Sequence, residues 1–134
     1  MLERNSGSRF VKLSRSKVAI EYVDDDMRGR AVLTIDGDWI GIVDDVLIDM
    51  EDRRACFLDV ESVGFLGIGI HRYLIPIEAM SGFDEQGVFV EHSSDHISAA
   101  PIYNPHVVET MHYLNDVYEH YGYAPPWEPD VEMT

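Results

Sequence analysis

Residues 35–39 read Ile35-Asp36-Gly37-Asp38-Trp39 and carry the clearest local signal in the chain. They place Asp-Gly between two runs typical of β-strands, from Arg30 to Ile35 and from Trp39 to Met50. Asp-Gly favours a type I′ turn, in which both central residues have positive φ angles. The stretch therefore predicts a β-hairpin.

Further short strands are predicted downstream of this hairpin. They cover Arg54 to Ser62, Arg72 to Ile77 and Val88 to Glu91, with turns at 51–53 and 83–87. Pro76 cannot donate to a ladder, so its strand is expected at an edge of the sheet or splayed there. Short strands at regular spacing indicate a small barrel or sandwich, and closure into a barrel would remove exposed edges.

The pattern changes to helical after His92. Apolar residues then recur at helical spacing, at Val107, Met111, Leu114, Tyr118 and Tyr121. Together with Asn104-Pro105 as N-cap and first residue and Gly122 as terminator, they predict an amphipathic helix over 105–121. A shorter helix is predicted at 94–99, capped by Ser93 or Ser94. The proline-rich segment 123–127 either packs its aromatic residues back on the barrel or presents them to a partner.

Charge is strongly negative but unevenly distributed. The 134 residues carry a formal net charge of −15, and 46% of them are hydrophobic, which suits one domain with a real core. Residues 1–17 hold half of the ten basic residues and one acid, and predict a flexible basic tail. The acidic remainder would repel phosphate backbones, so nucleic-acid binding is not expected. The tail is either simply solvated or touches an anionic surface such as lipid headgroups or RNA.

Compartment and redox state are predicted from what the sequence does not contain. No apolar run approaches the ~20 residues that span a bilayer, and the N-terminus lacks the apolar region of a signal peptide. Cys56 is the only cysteine and alternates with Leu58 and Val60, which indicates a buried thiol rather than a reactive one. We therefore expect a cytoplasmic protein.

Several of these stretches together resemble the PRC-barrel family. They are Arg28-Gly29-Arg30-Ala31-Val32, the run from Asp36 to Asp45, and the loop Gly64-Phe65-Leu66-Gly67-Ile68-Gly69 followed by Tyr73-Leu74-Ile75-Pro76. The resemblance covers about residues 27–92. It implies a mainly β fold with a small, strongly bent antiparallel PRC-type barrel at 18–92. A helical extension with a proline- and aromatic-rich tail would follow at 93–134.

The family occurs in three settings. These are the cytoplasmic domain of the photosynthetic reaction-centre H subunit, ribosome maturation factors, and stand-alone bacterial proteins. Residues 90–127 resemble the C-terminal extension of the stand-alone proteins. The sequence lacks the transmembrane helix of the first and the companion N-terminal barrel of the second. The family supplies no catalytic residue to carry over, and we expect no cofactor. The resemblance therefore implies a non-enzymatic protein-interaction module for adaptor or assembly roles, docking on another protein or on itself as a homodimer. A cytoplasmic accessory of a membrane photosynthetic or electron-transfer complex is the alternative, with peripheral membrane contact through the basic tail.

The glycine loop is the main candidate for partner binding. Its apolar side chains, with that of the residue after it, cannot all point inward from so short a segment, and an exposed apolar patch usually marks an interface. The candidate partner-binding residues are Phe65, Leu66, Ile68, Ile70 and, from the C-terminal segment, Trp127. Alternatively the loop plugs the barrel mouth or packs on the C-terminal helix.

A second candidate site lies on the predicted helix. His112, Asp116 and His120 are spaced at i, i+4 and i+8, and two imidazoles with a carboxylate suit a transition metal. A metal-binding protein is therefore a further alternative, although such a polar helix face is normally just solvated. Five of the six histidines fall at or after position 92, where they could also buffer or relay protons near neutral pH.

Overall fold

The computed structural model describes residues 10–15, 27–63, 70–103 and 111–127. Its strands are β1 (Phe10–Lys12), β2 (Ala31–Thr34), β3 (Trp39–Asp49), β4 (Arg54–Val63), β5 (Ile70–Pro76), β6 (Met80–Asp84) and β7 (Gly87–Val90). The helices are α1 (Ser94–Ser98) and α2 (Met111–Tyr121), with short 3₁₀ turns at Leu13–Arg15 and Ile77–Ala79. The mainly β prediction with a C-terminal helix is confirmed.

The strands form one sheet in the order β5-β4-β3-β2-β7-β6. β3 is long enough to hold two strands on one edge: β2 pairs with its first residues and β1 with Leu47–Asp49. β4 occupies its other edge. Within the described residues the end strands β5 and β6 do not pair with each other, so hydrogen bonds do not close the sheet into the complete ring of the predicted barrel.

One pairing departs from the predicted antiparallel arrangement. β2 and β7 run parallel, with Val32 opposite Val88 and Thr34 opposite Val90. The reason is the link between β5 and β6: the 3₁₀ turn Ile77–Ala79 carries the chain onward without the reversal that a hairpin would impose. The β6–β7 hairpin then brings β7 back alongside β2 in the same direction.

The predicted hairpin at 35–39 forms, but with a different turn. Gly37 has a φ of +94°, whereas Asp36 keeps a negative φ. The Gly37 N–H donates to the Thr34 carbonyl at 2.9 Å, and the Thr34 N–H donates to the Asp38 carbonyl at 2.8 Å. This is a three-residue connection with one left-handed glycine, rather than the type I′ turn expected from Asp-Gly.

The start of α1 and the end of α2 lie where the sequence indicated. The Ser93 hydroxyl accepts from the His96 N–H at 3.1 Å and caps α1. Gly122 follows α2 with a φ of +85°, and its N–H donates to the Tyr118 carbonyl at 3.0 Å. Positions 104–110, which include the predicted cap and first turns of this helix, lie outside the described residues.

The predicted flexible tail does not extend over residues 10–15. Phe10 and Leu13 are buried, and β1 adds to the edge of β3. The Ser14 N–H and hydroxyl both donate to the buried carboxylate of Asp45. Burial of two apolar side chains holds this segment on the sheet despite its basic composition. Residues 1–9, 16 and 17 of the predicted tail lie outside the described part.

A buried ion network reinforces that attachment. Asp59 of β4 is 1% exposed, and its carboxylate lies 3.2 Å from Arg72 Nη1 and 3.8 Å from Lys12 Nζ. Burial raises the pKa of Asp59 to about 6, against the opposing effect of the two cations. Lys12 also lies over the Tyr103 ring, 5.5 Å from its centroid. Lys12 is thus an internal counter-charge and is not presented to a lipid surface.

The core extends from the sheet to α2. Leu114, Val117 and Tyr118 of α2 are fully buried, and the Tyr118 ring meets Phe57 of β4 edge-on at 5.3 Å between centroids. Cys56 is buried in the same core, and burial raises the pKa of its thiol to about 12. The expectation of a buried thiol is confirmed.

Gly41 sets how closely β4 approaches β3. A Cβ at this position would lie 2.3 Å from the Glu61 carbonyl oxygen. We expect Gly41→Ala to lower the free energy of unfolding by about 2 kcal/mol or more, because a backbone atom must move. Gly82→Ala is the matched control, since a Cβ there meets nothing within 4 Å. Urea denaturation of both variants checks this, and equal stability of the two would contradict it.

The ion network predicts a pH-dependent variant. Lys12→Met leaves the Asp59 charge with one cation fewer, so we expect a loss of about 3 kcal/mol near pH 7.5. This loss of stability should be smaller at about pH 4.5, because the Asp59 carboxyl, whose pKa is raised, is protonated there and needs no counter-ion. Arg54→Met, which removes a partly exposed pair with Glu78, should cost under about 1 kcal/mol at both pH values. Denaturation at the two pH values tests this; an equal loss for Lys12→Met at both would refute it.

Candidate interaction surface

A row of large apolar side chains crosses three neighbouring strands. Leu33 of β2 is in register with Trp39 of β3 on one side and with Phe89 of β7 on the other. Residues that pair directly across strands project from the same face of a sheet. Trp39, Leu33 and Phe89 therefore form one row on one face.

The same face carries more apolar surface beside this row. Ala31 shares the face of Leu33 by strand alternation, and its partner in β3 is Ile42. Ile35 follows β2 directly at the start of the hairpin turn. We call this surface the apolar strip, formed by Ala31, Leu33, Ile35, Trp39, Ile42 and Phe89.

The apolar strip is partly exposed although its residues are typical of a core, with Ala31, Leu33 and Phe89 half-buried. Ile35 is 63% exposed, Trp39 51% and Ile42 44%. On the opposite face of β2 and β7, Val32 and Val88 are fully buried. The sheet thus uses one face for the core, and the described residues leave the other face accessible at this position.

An open edge lies at one end of the row. Phe89 is in register with Gly82 of the end strand β6. Glycine has no side chain to cover the Phe89 ring from that strand. A Cβ on Gly82 would meet nothing within 4 Å. The row therefore ends in a notch beside Phe89 rather than against a neighbouring side chain.

Acidic groups border the apolar strip. Asp36 and Asp38 are exposed in the hairpin, and Glu61 of β4 is in register with Ile42 on the same face. The chain as a whole has a formal net charge of −15. An apolar centre with an acidic border is the arrangement that this surface offers to a partner.

The glycine loop proposed for partner binding lies almost wholly outside the described residues. This applies to Phe65, Leu66 and Ile68. The backbone of Ile70 begins β5 and pairs with Val63 at the end of β4.

Trp127 packs on the chain itself. Its ring lies 5.1 Å from Tyr118, 5.5 Å from Phe10 and 6.1 Å from Phe57, measured between centroids. Its indole N–H donates to the Asn115 side-chain oxygen at 2.8 Å. Of the two alternatives for the C-terminal aromatic residues, packing back on the fold is the one that Trp127 adopts.

The three proposed metal ligands do not meet at one point. His112 Nε2 and Asp116 Oδ2 lie 3.4 Å apart on the exposed side of α2. The His120 imidazole instead stacks on His96 of α1, with 4.2 Å between centroids. Over the ranges that the structure describes, no group of three His, Cys, Asp or Glu side chains has metal-site geometry.

His120 belongs to a stack of three imidazoles that sequence reasoning did not assemble. His96 lies between His120 and His92, with 5.1 Å between the centroids of the His92 and His96 rings. His92 Nε2 lies 2.9 Å from the Tyr123 hydroxyl. Burial lowers the pKa of His92, and the neighbouring His96 and His120 lower it further against the opposing effect of Glu91. The four-residue spacing of His92 and His96 was visible in the sequence, but the approach of His120 was not.

No helix in the described ranges is both long and apolar enough to cross a membrane. Among curated proteins, none matches the chain. The model of the PRC-barrel domain matches residues 19–94, which is more than half of the chain and includes β2 through β7. The hairpin, the β3–β4 ladder and the strand that ends at Pro76 are the observed counterparts of the segments that suggested this family. The chain belongs to the PRC-barrel domain family.

Proposed function

We propose that this protein is a non-enzymatic interaction module that docks on another protein through the apolar strip. PRC-barrel domains are generally non-catalytic and often mediate protein interactions. The observation that carries the proposal is the exposure of Trp39 and Ile42 in register with Leu33 and Ala31, since contiguous exposed apolar surface usually marks an interface.

The position of these side chains favours binding. Ile42 is paired with both β2 and β4 and Trp39 is paired with β2, so their backbone is already ordered before a partner arrives. Preorganisation lowers the entropy that association costs. Tryptophan is also among the residues most enriched at interface hot spots, and Trp39 is expected to be the anchor.

Charge favours a basic partner. The acids at Asp36, Asp38 and Glu61 would face Lys or Arg residues around an apolar patch on the partner. A second copy of the chain is the competing occupant, because symmetric dimers are common. It would bring two acidic borders together, so we place a basic partner first and a homodimer second.

The glycine loop is a separate proposed contact. Phe65, Leu66, Ile68 and Ile70 would extend the binding surface beyond the apolar strip. Variants in the two regions can be made independently, so their contributions can be measured apart.

The proposal predicts which variant loses the partner. A partner would be captured from lysate of the source organism, identified, purified and titrated against the intact protein. Ile35→Ser/Trp39→Ser should weaken that complex at least about tenfold, or about 1.4 kcal/mol, because the anchor is removed. Added salt should weaken the wild-type complex, because it screens the attraction between the acidic border and a basic partner. Calorimetry gives both values.

Ile102→Ser is the matched control, because Ile102 is 59% exposed and lies outside the apolar strip. It should bind as the wild type does. Unchanged affinity in the Ile35/Trp39 variant would overturn the assignment. If only Phe65→Ser/Leu66→Ser weakens binding, the glycine loop is the interface instead. A wild-type dimer in light scattering that becomes monomeric in the Ile35/Trp39 variant would assign the apolar strip to self-association.

A further inference from the structure

The three stacked imidazoles join α1 to the end of α2. His96 lies in α1 and His120 in α2, and their rings are nearly parallel, with an interplanar angle of 14°. His92 extends the stack from the segment before α1 at an interplanar angle of 18°. We call His92, His96 and His120 the histidine column.

Reciprocal hydrogen bonds fix the protonation of two of these rings. His96 Nε2 lies 3.0 Å from the His120 carbonyl oxygen, and His120 Nε2 lies 2.7 Å from the His96 carbonyl oxygen. A carbonyl oxygen only accepts, so each Nε2 carries a proton. In neutral His96 and His120 the second nitrogen, Nδ1, is therefore the unprotonated one, and acid adds its proton there.

We propose that the histidine column is an acid-sensitive clasp that holds α1 on α2 when its rings are neutral and releases α1 when they become charged. This device is independent of the apolar strip. It stands on the geometry of the stack: protonation of adjacent rings places like charges face to face at 4.2 Å and 5.1 Å between centroids.

The contacts that favour those charges are the two backbone carbonyls that accept from Nε2. The titratable and charged neighbours are Glu91 after β7, Asp95 in α1, Glu119 and Tyr121 in α2, and Tyr123 after it. Within the described chain, no carboxylate lies within ion-pair distance of a column imidazole. The Tyr121 ring meets all three imidazoles edge-on at 4.9 to 5.6 Å, and its buried hydroxyl has no hydrogen-bond partner among the described residues.

The direction of the pH effect follows from these contacts. Burial and neighbouring imidazoles lower the pKa of His92, so His92 binds a proton less readily in the folded chain than in the unfolded chain. Stability from such a group is complete above the unfolded pKa of about 6.5 and is lost as the pH falls below it. The buried carboxyl of Asp59 acts in the opposite sense, because its raised pKa favours the folded state at acidic pH.

Release would act locally because α1 is short. α1 has one fully buried side chain, Ile97, and the hydrogen bonds between His96 and His120 tie it to the last turn of α2. Loss of those bonds uncovers Tyr121 while the β3–β4 ladder stays paired. The clasp thus changes the C-terminal region without unfolding the sheet.

Hydrogen exchange on the intact protein tests the clasp. Amide protection in α1 and at the end of α2, corrected for intrinsic exchange, should fall about tenfold or more between about pH 7.5 and about pH 5.5. His96→Phe/His120→Phe keeps two stacked rings but cannot place charges on them, so its protection should change less than about twofold. His112→Phe, which removes the exposed histidine of α2, should retain the wild-type pH dependence.

Two results would overturn the proposal. One is wild-type protection of α1 that does not change with pH. The other is a fall in the His96/His120 variant as steep as in the wild type. If that variant does not fold, NMR titration of the wild-type imidazoles decides. The column histidines must titrate over the range in which α1 loses protection, and titration outside that range would reject the clasp.

Discussion

The architecture depends on β3 serving three partners at once. Its eleven residues let β2 and β1 share one edge while β4 occupies the other. The close approach of β4 requires Gly41, where a side chain would meet the Glu61 carbonyl. This one ladder holds the N-terminal strand, the hairpin and the centre of the sheet in a fixed relation, so the outer elements inherit their positions from it.

The molecule covers one part of its sheet with its own extensions and leaves another part open. On β4, Phe57 packs on Tyr118 and Trp127, and Asp59 is paired with Lys12 of the N-terminal strand. The strip side chains Trp39 and Ile42 on β3 receive no comparable cover from the described residues. This contrast supports the apolar strip as an interface, because the same chain covers comparable apolar residues on β4 with its own segments.

Local signals predicted the parts of the fold that local chemistry decides. Asp36-Gly37 predicted the hairpin, Ser93 predicted the start of α1, and Gly122 predicted the end of α2. The family resemblance included the segments that form the β3–β4 ladder. β6 was missed because Met80-Ser81-Gly82-Phe83-Asp84 has turn residues and no alternation. The parallel β2–β7 pairing, the capture of Lys12 by Asp59 and the approach of His120 to His96 all join residues far apart in sequence. No local pattern specifies which distant strand or ring will be adjacent, and the apolar strip became recognisable only once register placed Leu33 between Trp39 and Phe89.

The edge-on contact between Phe10 and Trp127 has a mechanical consequence. It joins the first described strand to the last described residue, so tension applied at these two positions loads this aromatic contact directly. A single aromatic contact bears such a load alone, whereas the long β3–β4 ladder resists shear through many hydrogen bonds together. Under such load the segment that carries Trp127 would therefore separate from β1 while the β3–β4 ladder stays paired.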